Sequence, residues 1–176
     1  NKVEILAEDM PDDYFVISPT EDYAILMHST DGPKKEEGVF EIVHPDDRQP
    51  GWRNRTSLAR YDFKTGLVQQ LTYSYHGVWL SDIAPDGKHI LFSVASDSIT
   101  KRPTTRATYY DLDLATMTTR KLVDKDGFIG GALYAGGTDR VVFKAGTESF
   151  DGIGKRVTEG RTPNTFDYHL YVMDTN

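Results

Sequence analysis

The sequence predicts an all-β fold: a β-propeller fragment of about three four-stranded antiparallel blades, with long loops between second and third strands. Three observations carry this. A strand–turn–strand unit recurs three times without gaps, and each copy is followed by a strand that ends in Asp and a Thr-bearing turn. No stretch sustains the i, i+3, i+4, i+7 apolar spacing of a helix for three turns.

The first element reads Tyr14-Phe-Val-Ile-Ser-Pro-Thr-Glu-Asp-Tyr-Ala-Ile-Leu-Met27, then Leu80-Ser-Asp-Ile-Ala-Pro-Asp-Gly-Lys-His-Ile-Leu-Phe-Ser93, then Gly131-Ala-Leu-Tyr-Ala-Gly-Gly-Thr-Asp-Arg-Val-Val-Phe-Lys144. Each is an apolar, β-branched or aromatic run, a short Pro- or Gly-bearing turn and a second apolar run, the signature of a β-hairpin. Pro85-Asp86-Gly87 has the strongest turn chemistry, because Pro presets φ and Gly accepts positive φ. The second element reads Leu58-Ala-Arg-Tyr-Asp-Phe-Lys-Thr-Gly66, Tyr109-Tyr-Asp-Leu-Asp-Leu-Ala-Thr116 and Leu170-Tyr-Val-Met-Asp-Thr175. Asp62, Asp113 and Asp174 end these strands, where a carboxylate can accept from the backbone N–H groups of the next turn. An outer strand follows the first two copies, at Val68–Thr72 and Thr118–Val123.

The aligned turn residues Pro19, Pro85 and Gly136 lie roughly 50–65 residues apart, more than the ~40–45 of a minimal four-stranded blade. The excess falls into two inserts rich in Gly, Pro and charge, about Thr30–Thr56 and Gly146–Asp167, expected as loops on one side of the disc. The resulting blades span residues 13–73, 77–124 and 128–176, the last without its outer strand. Residues 2–12, where Val3 and Ile5 alternate with polar residues, read as the outer strand of a preceding blade. Because blades stack face to face, an isolated array of three leaves apolar sheet faces in water. Either more polypeptide covers them, or a homo-oligomer forms in which Lys2–Leu6 supplies a neighbour's missing outer strand.

Composition narrows the function classes. The 176 residues are 38% hydrophobic with 10 Tyr and 8 Phe, which is globular and too aromatic for a disordered tail. A net charge of −7 argues against binding a phosphate backbone, so no nucleic-acid partner is expected. There is no cysteine, which rules out disulfides and thiolate metal sites. No apolar run reaches the ~20 residues of a membrane span, so no membrane insertion is expected. The chain opens on Asn1 without a signal peptide and reads as a processed or excised piece of a longer protein.

The Ser-Pro or Ala-Pro-Asp-Gly-Lys turn, the apolar strand after it and the Asp-x-x-Thr-Gly turn resemble the blade repeat of the TolB and prolyl oligopeptidase propellers. The insert from Ser29-Thr-Asp-Gly-Pro33 to His44-Pro-Asp-Asp-Arg-Gln-Pro-Gly-Trp-Arg-Asn-Arg55 is similar to the N-terminal propeller of exported bacterial serine peptidases of the prolyl oligopeptidase and dipeptidyl peptidase IV family. The resemblance implies a non-catalytic domain that gates and orients peptide substrates for a C-terminal α/β-hydrolase domain absent from this chain, in a periplasmic or secreted protein. It equally admits a TolB-like interaction propeller with no associated enzyme. A catalytic triad does not carry over, since no Ser is flanked as Gly-x-Ser-x-Gly.

Dipeptidyl peptidases hold the substrate amine with a pair of propeller glutamates, and Glu36-Glu37 invites that comparison. The pair sits inside an insert rather than just before an inner strand, which suits a solvated acidic loop as well. Trp52, Arg53 and Arg55 cluster nearby. Guanidinium groups and an indole face suit a peptide carboxylate or carbonyl, and equally a loop packing its Trp and pairing Arg with Asp46 or Asp47. The five histidines (His28, His44, His76, His89 and His169) show no ligand spacing, so neither metal nor cofactor is expected. Asp124-Lys-Asp-Gly127 lacks the downstream Glu of a calcium loop and reads as a turn between blades.

Overall fold

Alternating apolar strands with Asp-closed turns are built to pair locally and bury both faces, and the computed structural model shows them doing so. It describes residues 2–32, 54–98, 100–164 and 166–175. Their strands form three antiparallel sheets, each ordered as a meander. The first sheet contains β1 (Tyr14–Ile17), β2 (Tyr23–Thr30), β3 (Arg55–Asp62) and β4 (Val68–Gln70). The second contains β5 (Val78–Ile83), β6 (His89–Asp97), β7 (Thr105–Asp113) and β8 (Thr118–Asp126). The third contains β9 (Ile129–Tyr134), β10 (Arg140–Gly146) and β11 (Tyr168–Asp174).

The register makes the repeat exact in space. Tyr23 pairs with Asp62, His89 with Asp113 and Arg140 with Asp174, so the three strand-ending aspartates occupy one position. Asp62 Oδ1 accepts from the backbone N–H groups of Lys64 and Thr65 and from the Thr65 hydroxyl. Asp113 Oδ1 accepts from the N–H groups of Ala115 and Thr116. Because these bonds favour the charged form, the Thr65 hydroxyl above all holds the Asp62 carboxyl below its ordinary value, and the Ala115 N–H does so for Asp113.

Two apolar seams join the sheets. Tyr23, Ile25 and Leu58 of the first meet Val78, Ile83, Ile90, Phe92 and Leu112 of the second. Leu91 and Tyr109, on the opposite face of the second sheet, meet Ala132, Tyr134, Val141 and Phe143 of the third. Strand alternation sends neighbours such as Ile90 and Leu91 to opposite seams, which is why the runs read as continuously apolar. Each buried side chain of this size contributes ~1.5–3 kcal/mol.

One segment departs from simple expectation. The insert after β10 is not wholly loop: it holds a one-turn helix, α1 (Ser149–Gly152), and a 3-10 turn at Ile153–Lys155. Phe150, Asp151 and Gly152 all have left-handed backbone conformations there, strained for the first two. The strain is offset because Asp126 accepts from the Phe150 N–H and the Ser149 hydroxyl, and because Phe150 packs on Phe143 and Tyr171. Residues 2–12 pair with no strand among the described residues. Ala7 and Met10 pack on Leu26, Ala59 and Tyr61 of the first sheet, and the Tyr61 hydroxyl donates to the Glu8 carbonyl at 2.9 Å.

Replacing fully buried Phe143 by Ala is expected to destabilise by about 3–5 kcal/mol, against under about 0.5 kcal/mol for exposed Leu67→Ala; urea unfolding distinguishes them. The lowered Asp62 and Asp113 acidities add a pH dependence. Their folded values lie below the unfolded 3.8, so their support is complete above that pH and is lost as pH falls through the folded values. The double variant Asp62→Asn/Asp113→Asn is expected to flatten the decline of the urea midpoint below pH 4.

Candidate functional site

Antiparallel order puts the end of β2 and the start of β3 on one side of the three sheets, together with the β10–β11 insert and the β4–β5 and β8–β9 connections. That face collects exposed rings. Tyr73 and Tyr75 rise from the connection into β5, Trp79 from the start of β5 itself, and Phe166 and Tyr168 from the entry to β11; Tyr73 is 88% exposed and Phe166 89%. Arg55, the first residue of β3, lies in the same region, its guanidinium carbon 5.0 Å from the centroid of the Tyr75 ring. Arg55 also donates through Nη1 to the Asn54 carbonyl at 2.9 Å, and Asn54 Oδ1 accepts from the Gly32 N–H, joining the two ends of the first insert. His28 Nδ1 lies 3.1 Å from both Asp13 carboxylate oxygens.

Of the residues singled out in the sequence, Arg55 is therefore placed, on an aromatic partner. Glu36, Glu37, Trp52 and Arg53 lie outside the described residues. Tyr73 and Tyr75 escaped sequence reasoning. The signal was Thr72-Tyr-Ser-Tyr-His76, a ring-rich segment between two strands at a place where turns carry small polar residues.

Two clefts open between the inner strands. One, of about 460 Å³, lies between β5 and β9. Ser81, Ser93, Tyr109 and Lys144 line it together with Leu80 and Leu133. Burial, with Asp126 nearby, pushes the Tyr109 phenol up, so it stays a neutral hydroxyl. The other, of about 300 Å³, lies between β1 and β5, with Asp82 and Ser81 among Tyr14, Val16 and Met27. Both offer hydrogen-bonding groups on apolar walls, an arrangement suited to binding.

The densest polar group sits in the second seam. Asp111 on β7 is buried; its Oδ1 accepts from the Tyr134 hydroxyl at 2.5 Å and lies 3.2 Å from His89 Nδ1. Its Oδ2 accepts from Arg120 at 3.1 Å, and Arg120 also donates to the Thr175 carbonyl. The Tyr134 N–H bonds Asp82 at 2.8 Å. Burial first, then the bond to Asp111, raises the Tyr134 phenol well above its ordinary value, so it remains a donor. With guanidinium, phenol and imidazole all converging on one carboxylate, the group acts as a polar clamp between the second and third sheets. In the first seam, Arg60 and Tyr23 occupy the equivalent positions of Asp111 and His89. There the Arg60 guanidinium lies over the Tyr23 ring at 4.4 Å, and the Tyr23 hydroxyl donates to the Gly87 carbonyl.

Three radially stacked antiparallel meanders, inner strands innermost, define a sector of a β-propeller. No protein-family model matches the chain, and no curated protein matches it. Solved structures do. TolB from Acinetobacter baumannii is 15% identical with a TM-score of 0.53, over 93% of this chain and 30% of that one. A putative TolB from Agrobacterium tumefaciens is 15% identical with a TM-score of 0.50, over 97% and 48%. Pyrococcus horikoshii acylaminoacyl peptidase is 15% identical with a TM-score of 0.52, over 93% and 23%. At this identity the likeness is one of fold: a TolB-like propeller sector. The chain spans less than half the length of each of these solved chains. No helix of the described residues is long and apolar enough to cross a membrane.

Removing the carboxylate takes the acceptor from the buried Tyr134 hydroxyl, while Arg120, 45% exposed, can turn to water. Asp111→Ala is expected to cost about 2–3 kcal/mol, and Tyr134→Phe, which removes one donor and keeps the ring, about 1–2 kcal/mol. Equilibrium unfolding of both variants checks the order.

Proposed function

We propose that this chain is the substrate-facing sector of a propeller that admits and orients peptides for a serine peptidase domain elsewhere in the same protein, exported to the periplasm or beyond. The observation that carries the reading is the loop-bearing face, where Arg55 lies over the Tyr75 ring, Tyr73 is exposed on the same connection and Trp79 is exposed at the start of β5. Flat apolar rings bind peptide side chains at little entropic cost, and a guanidinium supplies a fork for a carbonyl or carboxylate. The likeness to the acylaminoacyl peptidase supports it at the level of fold. The chain's part is binding, and the hydrolytic step falls to the peptidase domain. The likeness to TolB favours a second reading, in which the same face docks a folded protein.

Short peptides separate the two. On the first reading, oligopeptides added to the purified chain change its tryptophan fluorescence saturably and are recovered uncleaved. Trp79→Phe reduces the response, and Arg55→Ala weakens binding about tenfold, the equivalent of about 1.4 kcal/mol. A flat titration overturns the peptide-binding reading, and hydrolysis by the chain itself overturns the division of labour.

A further inference from the structure

Plain alternation is broken once along β5. Leu80 pairs with Phe92 of β6 and Asp82 with Leu91, which leaves Ser81 without a partner in that ladder. This one-residue bulge lets Leu80 and Ile83, an odd number of positions apart, both pack into the first seam. Asp82 sits at the bulge, and both of its carboxylate oxygens are held. Oδ1 accepts from the Ile83 N–H at 2.9 Å, and Oδ2 from the Tyr134 N–H of β9 at 2.8 Å. The repeat itself does not call for an acid here, since the same position of the other two hairpins holds Val16 and Leu133.

Both donors to Asp82 are neutral backbone groups, and an ionised carboxylate can accept about four hydrogen bonds. Among the described residues no cation pairs with it, whereas Asp111 has Arg120. Asp82 and Ser81 line the cleft of about 300 Å³ between β1 and β5 together with Tyr14, Val16, Met27 and Leu80. The cleft belongs to the seam between the two four-stranded sheets.

A fixed negative charge with spare acceptor capacity among apolar side chains selects a cation carried on an apolar stem. A peptide's α-ammonium does not meet that description, because its own N–H and C=O groups would lie unpaired against Val16, Met27 and Leu80. A lysine side chain does: its methylenes suit the apolar walls, and its ammonium brings donors to the carboxylate. Each oxygen already carries a backbone donor, so the bidentate fork of arginine gains less here than the point charge of lysine. Tyr14, 67% exposed, adds an aromatic ring beside the same cation. We propose that the cleft between β1 and β5 is a subsite for a lysine side chain of a bound peptide, with Asp82 as its counter-ion. The inference rests on the peptide-binding reading above.

The probes are two pentapeptides, acetylated at the N-terminus and amidated at the C-terminus, that differ only in a central lysine or norleucine. Calorimetric titration of the intact chain is expected to show the lysine peptide binding about tenfold more tightly, the gain of one charge-assisted hydrogen bond. The preference is expected to shrink as salt is raised. Asp82→Asn is expected to abolish it and to leave the affinity for the norleucine peptide unchanged. Tyr14→Lys places a like charge at an exposed position of the cleft without touching either backbone bond of Asp82, and it too is expected to abolish the preference; this second variant keeps the test open if Asp82→Asn fails to fold. Equal affinity for the two peptides overturns the subsite and leaves peptide binding standing. A preference that persists in either folded variant, or a norleucine peptide with a free α-amine that matches the lysine peptide, overturns the subsite as well. Binding of neither peptide overturns both readings.

Discussion

Every sheet in this molecule is apolar on both faces, and that single constraint organises the rest. A four-stranded meander with Ile90 and Phe92 on one side and Leu91 and Tyr109 on the other has no stable existence by itself; it needs a neighbour on each side. Stacking meanders about an axis satisfies this with short connections and only local pairing. It also leaves the inner strand edges and the connecting loops as the parts free to vary, which is where the clefts, the exposed rings and Arg55 lie.

The two seams meet that constraint by different chemistry at matched positions. Where the first uses Tyr23 and Arg60 in a stacked pair, the second buries the Asp111 carboxylate under three donors. Apolar contact alone is tolerant of sliding, whereas a carboxylate with fixed donors is satisfied in one relative placement. The clamp thus specifies how the second and third sheets face each other, while the surrounding side chains supply most of the attraction.

What was legible in the sequence was what depends on near neighbours. Period-two alternation, the Pro85-Asp86-Gly87 turn and the aspartates at 62, 113 and 174 each act within a few residues, so the hairpins, the third strands and their register could be read directly. Asp111 could not be recognised as a buried clamp. It alternates with Tyr110 and Leu112 like any outward polar residue, and its partners Tyr134, Arg120 and His89 come from three other strands. Phe150 was hidden for a related reason: nothing local announces three successive left-handed residues, which are held there by Asp126 from an earlier strand. Of the candidate site, Arg55 was legible as a cation beside an insert, but its aromatic partner was not, because Tyr75 reaches it across a sheet edge rather than along the chain.

Gly87 shows how finely the spacing between sheets is set. Its backbone is left-handed, and a β-carbon there would lie 2.6 Å from the Thr20 hydroxyl oxygen, on the turn of the neighbouring hairpin. The two turns therefore touch through a single hydrogen, with the Tyr23 phenol bonded to the Gly87 carbonyl beside them. A larger side chain at this point would act as a shim, wedging adjacent hairpins apart at one end. Because those hairpins carry β1 and β5, the wedge would reach the inner strands themselves, so the pitch between two sheets is set in part by one hydrogen atom at a turn.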